Sequence, residues 1–185
     1  MLLGYVMTRG RGATDRLLIE VATTLRAEGR RLAGVVQHNR EEVPGARCDM
    51  VLELLHSGQE VCISQRLGGG SRGCRLDSQG LAAAAGLAAD GLRDLPELVI
   101  LNRFGKSESD GQGFRGLIGE ALAAGLPVLL GLSATNLVAF ERFADGMGHQ
   151  LAPDPAAVCD WCRAAMPGLA GGGPDHPLVH DPCRS

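Results

Sequence analysis

The sequence predicts an α/β protein of three layers, in which helices cover both faces of a mostly parallel sheet with an inserted β-hairpin. Short apolar runs alternate with helix-like segments along the 185 residues. The later apolar runs are continuous rather than alternating, as strands buried on both faces are. We expect one domain over residues 1–166 and a flexible, Gly/Pro-rich tail over residues 167–185.

Glycines, prolines and capping residues set the limits of the predicted elements. The helix after the first strand ends at Gly29, a turn at residues 56–58 closes the hairpin, and Asp77 or Ser78 caps the next helix. Strands are predicted from Leu2 into the first turn and at residues 31–37, 50–55, 59–64, 96–101, 127–132 and 149–152. Loops are predicted at 38–47, 67–77 and 102–113, and later helices at 78–92, 114–124, 136–143 and from about residue 154.

The composition excludes several classes of partner. The net charge is −3 and aromatic residues make up 3% of the chain, which argues against a nucleic-acid surface. No apolar run approaches the roughly 18–20 residues of a membrane span, and the first strand is too short for a signal peptide. We expect a cytoplasmic protein, and the sequence leaves open whether copies of it associate.

The first turn has the context of a phosphate-binding loop, since it joins a strand to an amphipathic helix. Backbone N–H groups converge at such a turn and favour an anion. Against the motif G-x-x-x-x-G-K-[ST], Gly12 takes the second glycine, Met7 the first, Ala13 the lysine and Thr14 the hydroxyl position. The lysine that reaches the phosphates is therefore missing. The alternative is that this strand–turn–helix segment only packs within the fold and binds no ligand.

Three stretches carry a resemblance to a known family. The strand at residues 31–37, a later hairpin and the segment 98–108 resemble the archaeal and vertebrate nucleoside triphosphatases, a small P-loop family, over roughly residues 2–150. Asn102 and Arg103 stand where that family has an acidic Walker B pair, while Gly105, Lys106 and Glu108 match. The resemblance implies a P-loop NTPase-like fold with degenerate Walker A and B motifs.

A second resemblance is to a bacterial family of unknown function, often encoded beside molybdate-transport or molybdoenzyme genes. The shared positions are Cys48, Ser57, Gly58, Ile63, Ser64, Gln65, Leu67, Gly68, Gly73, Cys74, Arg75, Leu76, Asp77, Asn102, Arg103, Phe104, Gly105 and Lys106. This resemblance implies a ligand such as molybdate or tungstate.

The strand-end loops at residues 10–14, 68–77 and 102–113 are predicted to converge on one cleft, because ligands of open parallel sheets bind beyond the carboxyl ends of the strands. Candidate anion-binding residues are Arg9, Gly10, Arg11, Gly12, Ala13, Thr14, Gly73, Cys74, Arg75, Asn102, Arg103 and Lys106. The alternative is that the arginines are solvated surface. Lys106 and Glu108 either orient a substrate or pair with each other.

The expected function is binding of an oxyanion (molybdate, tungstate, sulfate or phosphate) or of a phosphate-bearing ligand such as a nucleotide, with slow hydrolysis or none. We assign no catalytic residue. One alternative is a nucleoside triphosphatase in which Arg11 or Lys106 replaces the missing lysine. Another is a non-catalytic scaffold. The sequence shows no apolar slot for a nucleotide base.

Six cysteines without a secretion signal indicate thiols or ligands rather than disulfides. Cys48 and Cys74 form a candidate thiol pair, either as ligands or as a redox-sensitive bridge, with two small buried hydrophobes as the alternative. Near the end, five soft ligands are enough for a zinc site, with unliganded thiols as the alternative. These ligands are Cys159, Cys162, His176, His180 and Cys183.

Overall fold

The computed structural model describes residues 2–40, 49–64 and 76–166. Over these residues the chain forms a seven-stranded sheet in the order β4-β3-β2-β5-β6-β1-β7. The strands are β1 (Leu3–Val6), β2 (Leu32–Arg40), β3 (Asp49–Leu54), β4 (Glu60–Cys62), β5 (Leu98–Phe104), β6 (Val128–Leu132) and β7 (Gly148–Leu151). The helices are α1 (Ala13–Ala27), α2 (Ser78–Asp90), α3 (Lys106–Ser109), α4 (Arg115–Ala123), α5 (Leu137–Ala144) and α6 (Pro155–Ala165).

The sheet is mostly parallel. β1, β2, β5, β6 and β7 run in one direction, and the hairpin at the edge adds β3, which is antiparallel to β2, and β4, which is antiparallel to β3. The carboxyl ends of the parallel strands therefore share one edge of the sheet, as predicted. The turns that follow β1, β5 and β6 all lie at this edge.

Helices cover both faces, which confirms the three-layer arrangement. On one face the buried side of α1 packs with α6, and Leu18 and Val158 are fully buried in that core. On the other face α2, α4 and α5 contribute Ala84, Ile118 and Phe140 to a second core. Asp77 caps α2 as predicted, because its Oδ1 accepts from the backbone N–H of Gln79 at 3.0 Å.

Two predicted loops are wrong at their starts, because tertiary contacts extend the strands. β2 continues through Arg40, where it pairs with β3, although a loop is predicted from residue 38. β5 continues to Phe104, whose fully buried ring packs on Phe140 at a centroid distance of 5.3 Å. The predicted loop 102–113 also contains the short helix α3.

Other predictions fall on residues that the structure does not describe. These are the glycine-rich loop before residue 76, most of the loop 38–47 and the tail 167–185. Within the described ranges, no helix combines the length and the apolarity needed to cross a membrane.

Candidate functional site

The turn between β1 and α1 wraps over the start of the helix. Gly10 (φ 95°) and Gly12 (φ 69°) both have left-handed backbone conformations that glycine adopts without strain. The backbone N–H of Arg16 donates to Gly12 O at 3.1 Å, which begins the helix at this glycine. The turn encloses a cavity of about 250 Å³, here called the small cavity. Its lining residues are Thr8, Gly10, Arg11, Gly12, Thr14, Asp15, Arg103, Leu132 and Ser133.

The predicted residues of the first turn divide between this lining and the surface. Gly10, Arg11, Gly12 and Thr14 line the small cavity, whereas Arg9 is exposed outside the lining and Ala13 does not contribute to it. The Thr14 hydroxyl lies 2.7 Å from the Thr8 hydroxyl. These two hydroxyls can donate to, or accept from, a ligand in the cavity.

Asp15 is a buried carboxylate at the wall of the small cavity, with 3% of its surface exposed. Asn39 Nδ2 donates to its Oδ2 at 2.9 Å, and Asn102 Nδ2 and Arg103 Nη2 each donate to its Oδ1 at 3.1 Å. These contacts join α1 to β2 and β5. This role was not predicted from the sequence, although a signal exists: Asp15 stands three residues before Leu18, on the apolar side of the helix.

Asn102 extends these contacts into a buried polar network. Its Oδ1 accepts from the backbone N–H of Gln37 at 3.2 Å, and its Nδ2 also donates to Gln37 Oε1 at 3.3 Å. Gln37 Nε2 donates in turn to Asn39 Oδ1 at 2.9 Å. We call Asp15, Gln37, Asn39, Asn102 and Arg103 the polar network. Asp15 is its carboxylate and Arg103 its cation.

A larger cavity of about 430 Å³ lies on the other side of Arg103. Its lining residues are Gln37, Met50, Leu52, Ile63, Leu76, Leu81, Asn102, Arg103, Gly105, Lys106, Ser107, Glu108, Phe114 and Asn136. We call it the large cavity. This apolar slot was not apparent from the sequence, because the hairpin, α2 and the segment after β5 come together only in the folded chain.

Lys106 and Glu108 do not pair with each other, so that alternative is wrong. Lys106 Nζ lies 2.7 Å from Asp110 Oδ2 in an exposed i,i+4 pair. Glu108 is buried, and its carboxylate accepts from the backbone N–H groups of Gly105 at 2.8 Å and Phe114 at 3.0 Å. Glu108 therefore holds the segment after β5 in place. Lys106 contributes to the rim of the large cavity while its charge is shared with Asp110.

Two of the three loops predicted to converge do meet, because Arg103 of β5 contacts Asp15 in the first turn of α1. The third loop is described only from Leu76 onward, and Gly73, Cys74 and Arg75 lie outside the described residues, as does Cys48. The roles of those four residues stay predictions.

The family of the chain follows from comparison with known proteins. The chain matches the family described as "Protein of unknown function (DUF2478)" over residues 3–161. The chain belongs to this family. It is also 32% identical over 178 residues to the "Molybdenum import ATP-binding protein ModC 2" of Bradyrhizobium diazoefficiens. That match covers 96% of this chain but 20% of the relative, so the chain spans about one fifth of the relative's length.

Among solved structures, the fold is similar to the solution structure of a human cancer-related nucleoside triphosphatase. The TM-score is 0.58 at 18% identity, and the match covers 88% of this chain and 95% of the human one. The predicted P-loop NTPase-like fold of this DUF2478 chain is confirmed.

The C-x-x-C sequence of this DUF2478 chain lies on α6, and both of its cysteines face the core. Cys159 is 3% exposed and Cys162 is fully buried. Burial raises the pKa of Cys159, and burial together with the neighbouring Cys159 raises the pKa of Cys162 to about 12. Among the described residues no group of three or more His, Cys, Asp or Glu side chains is placed to hold a metal.

The other three residues of the predicted zinc site, His176, His180 and Cys183, lie outside the described ranges. The zinc site therefore stays a prediction. In the described part of the chain, Cys159 and Cys162 pack as small apolar groups among the residues of α1 and α6.

We expect the thiols to differ sharply in reactivity. Cys62 is exposed and should react with iodoacetamide in the native protein at pH 8. Cys162 should stay unlabelled, since with a pKa of about 12 only about one thiol in ten thousand is ionised at pH 8 and burial blocks access. Peptide mass spectrometry locates the label, and the urea-unfolded protein is the control in which Cys159 and Cys162 also react. Native labelling of Cys162 at the rate of Cys62 would contradict this packing.

Proposed function

We propose that the chain binds an oxyanion, or the phosphate group of a larger ligand, in the small cavity and hydrolyses nucleoside triphosphates slowly or not at all. The observation that carries the proposal is the position of Arg103. Its guanidinium reaches from β5 to the lining of the β1–α1 turn, with Nη2 3.1 Å from Asp15 Oδ1 and half of the side chain exposed. A cation thus faces the place where backbone N–H groups favour an anion.

The chemistry of the small cavity suits a tetrahedral oxyanion. Backbone N–H groups of the turn and the start of α1 share negative charge, and a guanidinium binds two oxygens at once. Arg11 adds a second, exposed cation to the lining. Molybdate, tungstate, sulfate and phosphate all have this geometry. The relative named as a molybdenum import protein favours the first two.

Inefficient hydrolysis follows from what the turn and β5 lack. Ala13 has no charge to place on the β- and γ-phosphates, and Asn102 is a neutral amide held by Gln37. Transfer of a phosphoryl group depends mainly on positioned cations and a held Mg²⁺. Neither Ala13 nor Asn102 supplies a cation or a carboxylate that holds Mg²⁺.

A working nucleoside triphosphatase is the second candidate, and Asp15 favours it. The Asp15 carboxylate accepts from Asn102 Nδ2 at 3.1 Å, so α1 brings a negative charge to the end of β5 where the strand itself carries none. Arg11 then replaces the missing lysine, since it lines the small cavity whereas the Lys106 ammonium pairs with Asp110. The relative's printed name, an ATP-binding protein, points the same way.

The binding proposal is tested by removing the Arg103 guanidinium. Calorimetric titration with molybdate, tungstate, sulfate, phosphate, ATP and GTP should show binding by the native protein. Arg103→Ala should weaken it by about ten-fold or more, because a charge-assisted hydrogen bond contributes roughly 1.5–3 kcal/mol. Arg103→Lys keeps the charge but lacks the planar guanidinium. Its affinity for these ligands should lie between those of the native protein and of Arg103→Ala. Arg93→Ala is the matched control, since Arg93 is exposed and pairs with Asp90 away from the cavity.

The outcomes of these titrations and of a phosphate-release assay distinguish the proposed functions. Equal binding by Arg103→Ala and Arg93→Ala would reject the proposed site. No binding of any of the six ligands would leave the scaffold alternative. Phosphate release from ATP or GTP with Mg²⁺ at about 1 per second, a modest value for enzymes, would establish the nucleoside triphosphatase instead.

A further inference from the structure

The two cavities at the strand ends have one wall in common. Arg103 lines both of them. Asp15 on the small-cavity side and Asn102 on the large-cavity side are joined by a 3.1 Å hydrogen bond. One hydrogen-bonded layer of side chains therefore separates the two spaces, and a molecule that reaches over Arg103 can occupy both.

We infer that the natural ligand is a phosphate ester of about nucleotide size. Its phosphate is carried on a planar heterocyclic body, and this body lies in the large cavity. This inference rests on the proposed function, because the phosphate occupies the small cavity. It selects an organic phosphate over a free oxyanion.

The wall of the large cavity is mainly apolar. Leu52, Ile63 and Phe114 are buried, and the half-buried Leu76 and Leu81 complete the wall. A free, hydrated oxyanion gains nothing from such a surface, whereas a ring system gains the free energy of removing apolar area from water. The volume of about 430 Å³ lies within the usual range for small-molecule sites.

Polar groups in the lining favour a heterocycle over an alkyl chain. Gln37, Asn102 and Asn136 all line it; the carboxamides of Gln37 and Asn102 are hydrogen-bonded within the polar network, and that of Asn136 lies outside it. Asn136 Nδ2 donates to Ser133 Oγ at 3.0 Å, and among the described residues none donates to its Oδ1. A few placed polar groups in an apolar slot fix the orientation of a flat ring that has hydrogen-bonding edges. An alkyl chain has no use for them.

The test compares ligands that share a phosphate and differ in the body. AMP and GMP should bind about ten-fold tighter than ribose 5-phosphate and inorganic phosphate in calorimetric titrations, since burial of a ring contributes at least 1.4 kcal/mol. Leu81→Trp fills the large cavity and should remove this difference while leaving phosphate affinity unchanged. Leu87→Trp is the matched control, since Leu87 is half-buried on the same helix and does not line the cavity. Thermal melting confirms that both variants fold.

The failure of this inference differs from the failure of the proposed function. Equal affinity for ribose 5-phosphate and the two nucleotides, or nucleotide affinity unchanged in Leu81→Trp, would overturn the heterocyclic body. The oxyanion site would then stand as long as Arg103→Ala still weakens phosphate binding. Binding of molybdate without any binding of the four phosphates would likewise overturn the inference alone. No binding of molybdate or of any phosphate would overturn both.

Discussion

Gly131→Ala is expected to destabilise the protein by more than about 4 kcal/mol or to prevent folding. A Cβ atom on Gly131 would lie 2.1 Å from the backbone oxygen of Asn102 and 2.8 Å from Thr14 Cγ2. The Asn102 oxygen cannot retreat, because β6 is hydrogen-bonded between β5 and β1 and all five of its residues are buried. The overlap is with backbone, so the sheet itself would have to deform.

Urea unfolding followed by circular dichroism measures this effect, with Gly119→Ala as the matched control. Gly119 lies inside α4, and a Cβ there meets nothing within 4 Å. Alanine at that position should raise the free energy of unfolding by about 0.5–1 kcal/mol, since it restricts the unfolded chain and favours the helix. A Gly131→Ala protein within 1 kcal/mol of the native one, a change typical of surface substitutions, would contradict the close approach of β6 to Asn102.

Gly131 also explains how the site forms. The absence of a side chain lets Thr14, in the first turn of α1, sit close to the end of β5. Asp15 can then reach Asn102 and Arg103. The geometry of the site therefore depends on a residue that cannot itself contact a ligand through a side chain.

The architecture was predictable because it follows local rules. Continuous apolar runs such as residues 98–101 mark buried parallel strands, and the spacing of Leu17, Leu18, Val21 and Leu25 marks the buried side of α1. The strand ends were less predictable. β2 runs past Gln37 because β3 pairs with it, and the residues of β2 alone do not indicate that pairing.

The candidate site was predictable only in part, for a similar reason. The turn at residues 10–14 and Arg103 stand out as departures from a known motif. The partnership of Asp15 with Asn102 does not, because 87 residues separate them along the chain. The large cavity was also hidden, since its apolar wall combines Leu52, Ile63, Leu81 and Phe114 from distant segments. Composition and periodicity report on one segment at a time.

Asp15→Asn is expected to change stability and anion affinity in opposite directions. The free energy of unfolding should fall by about 1–3 kcal/mol, because a buried carboxylate that accepts three hydrogen bonds is replaced by an amide with one acceptor oxygen. The affinity for phosphate or molybdate should rise by about five-fold or more. A negative charge at the wall of the small cavity repels the anion, and even with the strong screening of bulk water such a repulsion is worth about 1 kcal/mol.

Calorimetric titration and urea unfolding on the same preparation separate the two effects, and Asp94→Asn is the control because Asp94 is exposed and lies outside both cavities. That variant should change neither quantity. Weaker ATP or GTP binding by Asp15→Asn, seen only when Mg²⁺ is present, would reverse the assignment. The carboxylate would then act on the ligand through the metal, as a nucleoside triphosphatase requires. The sign of this one change therefore separates a metal-free anion site from a catalytic one.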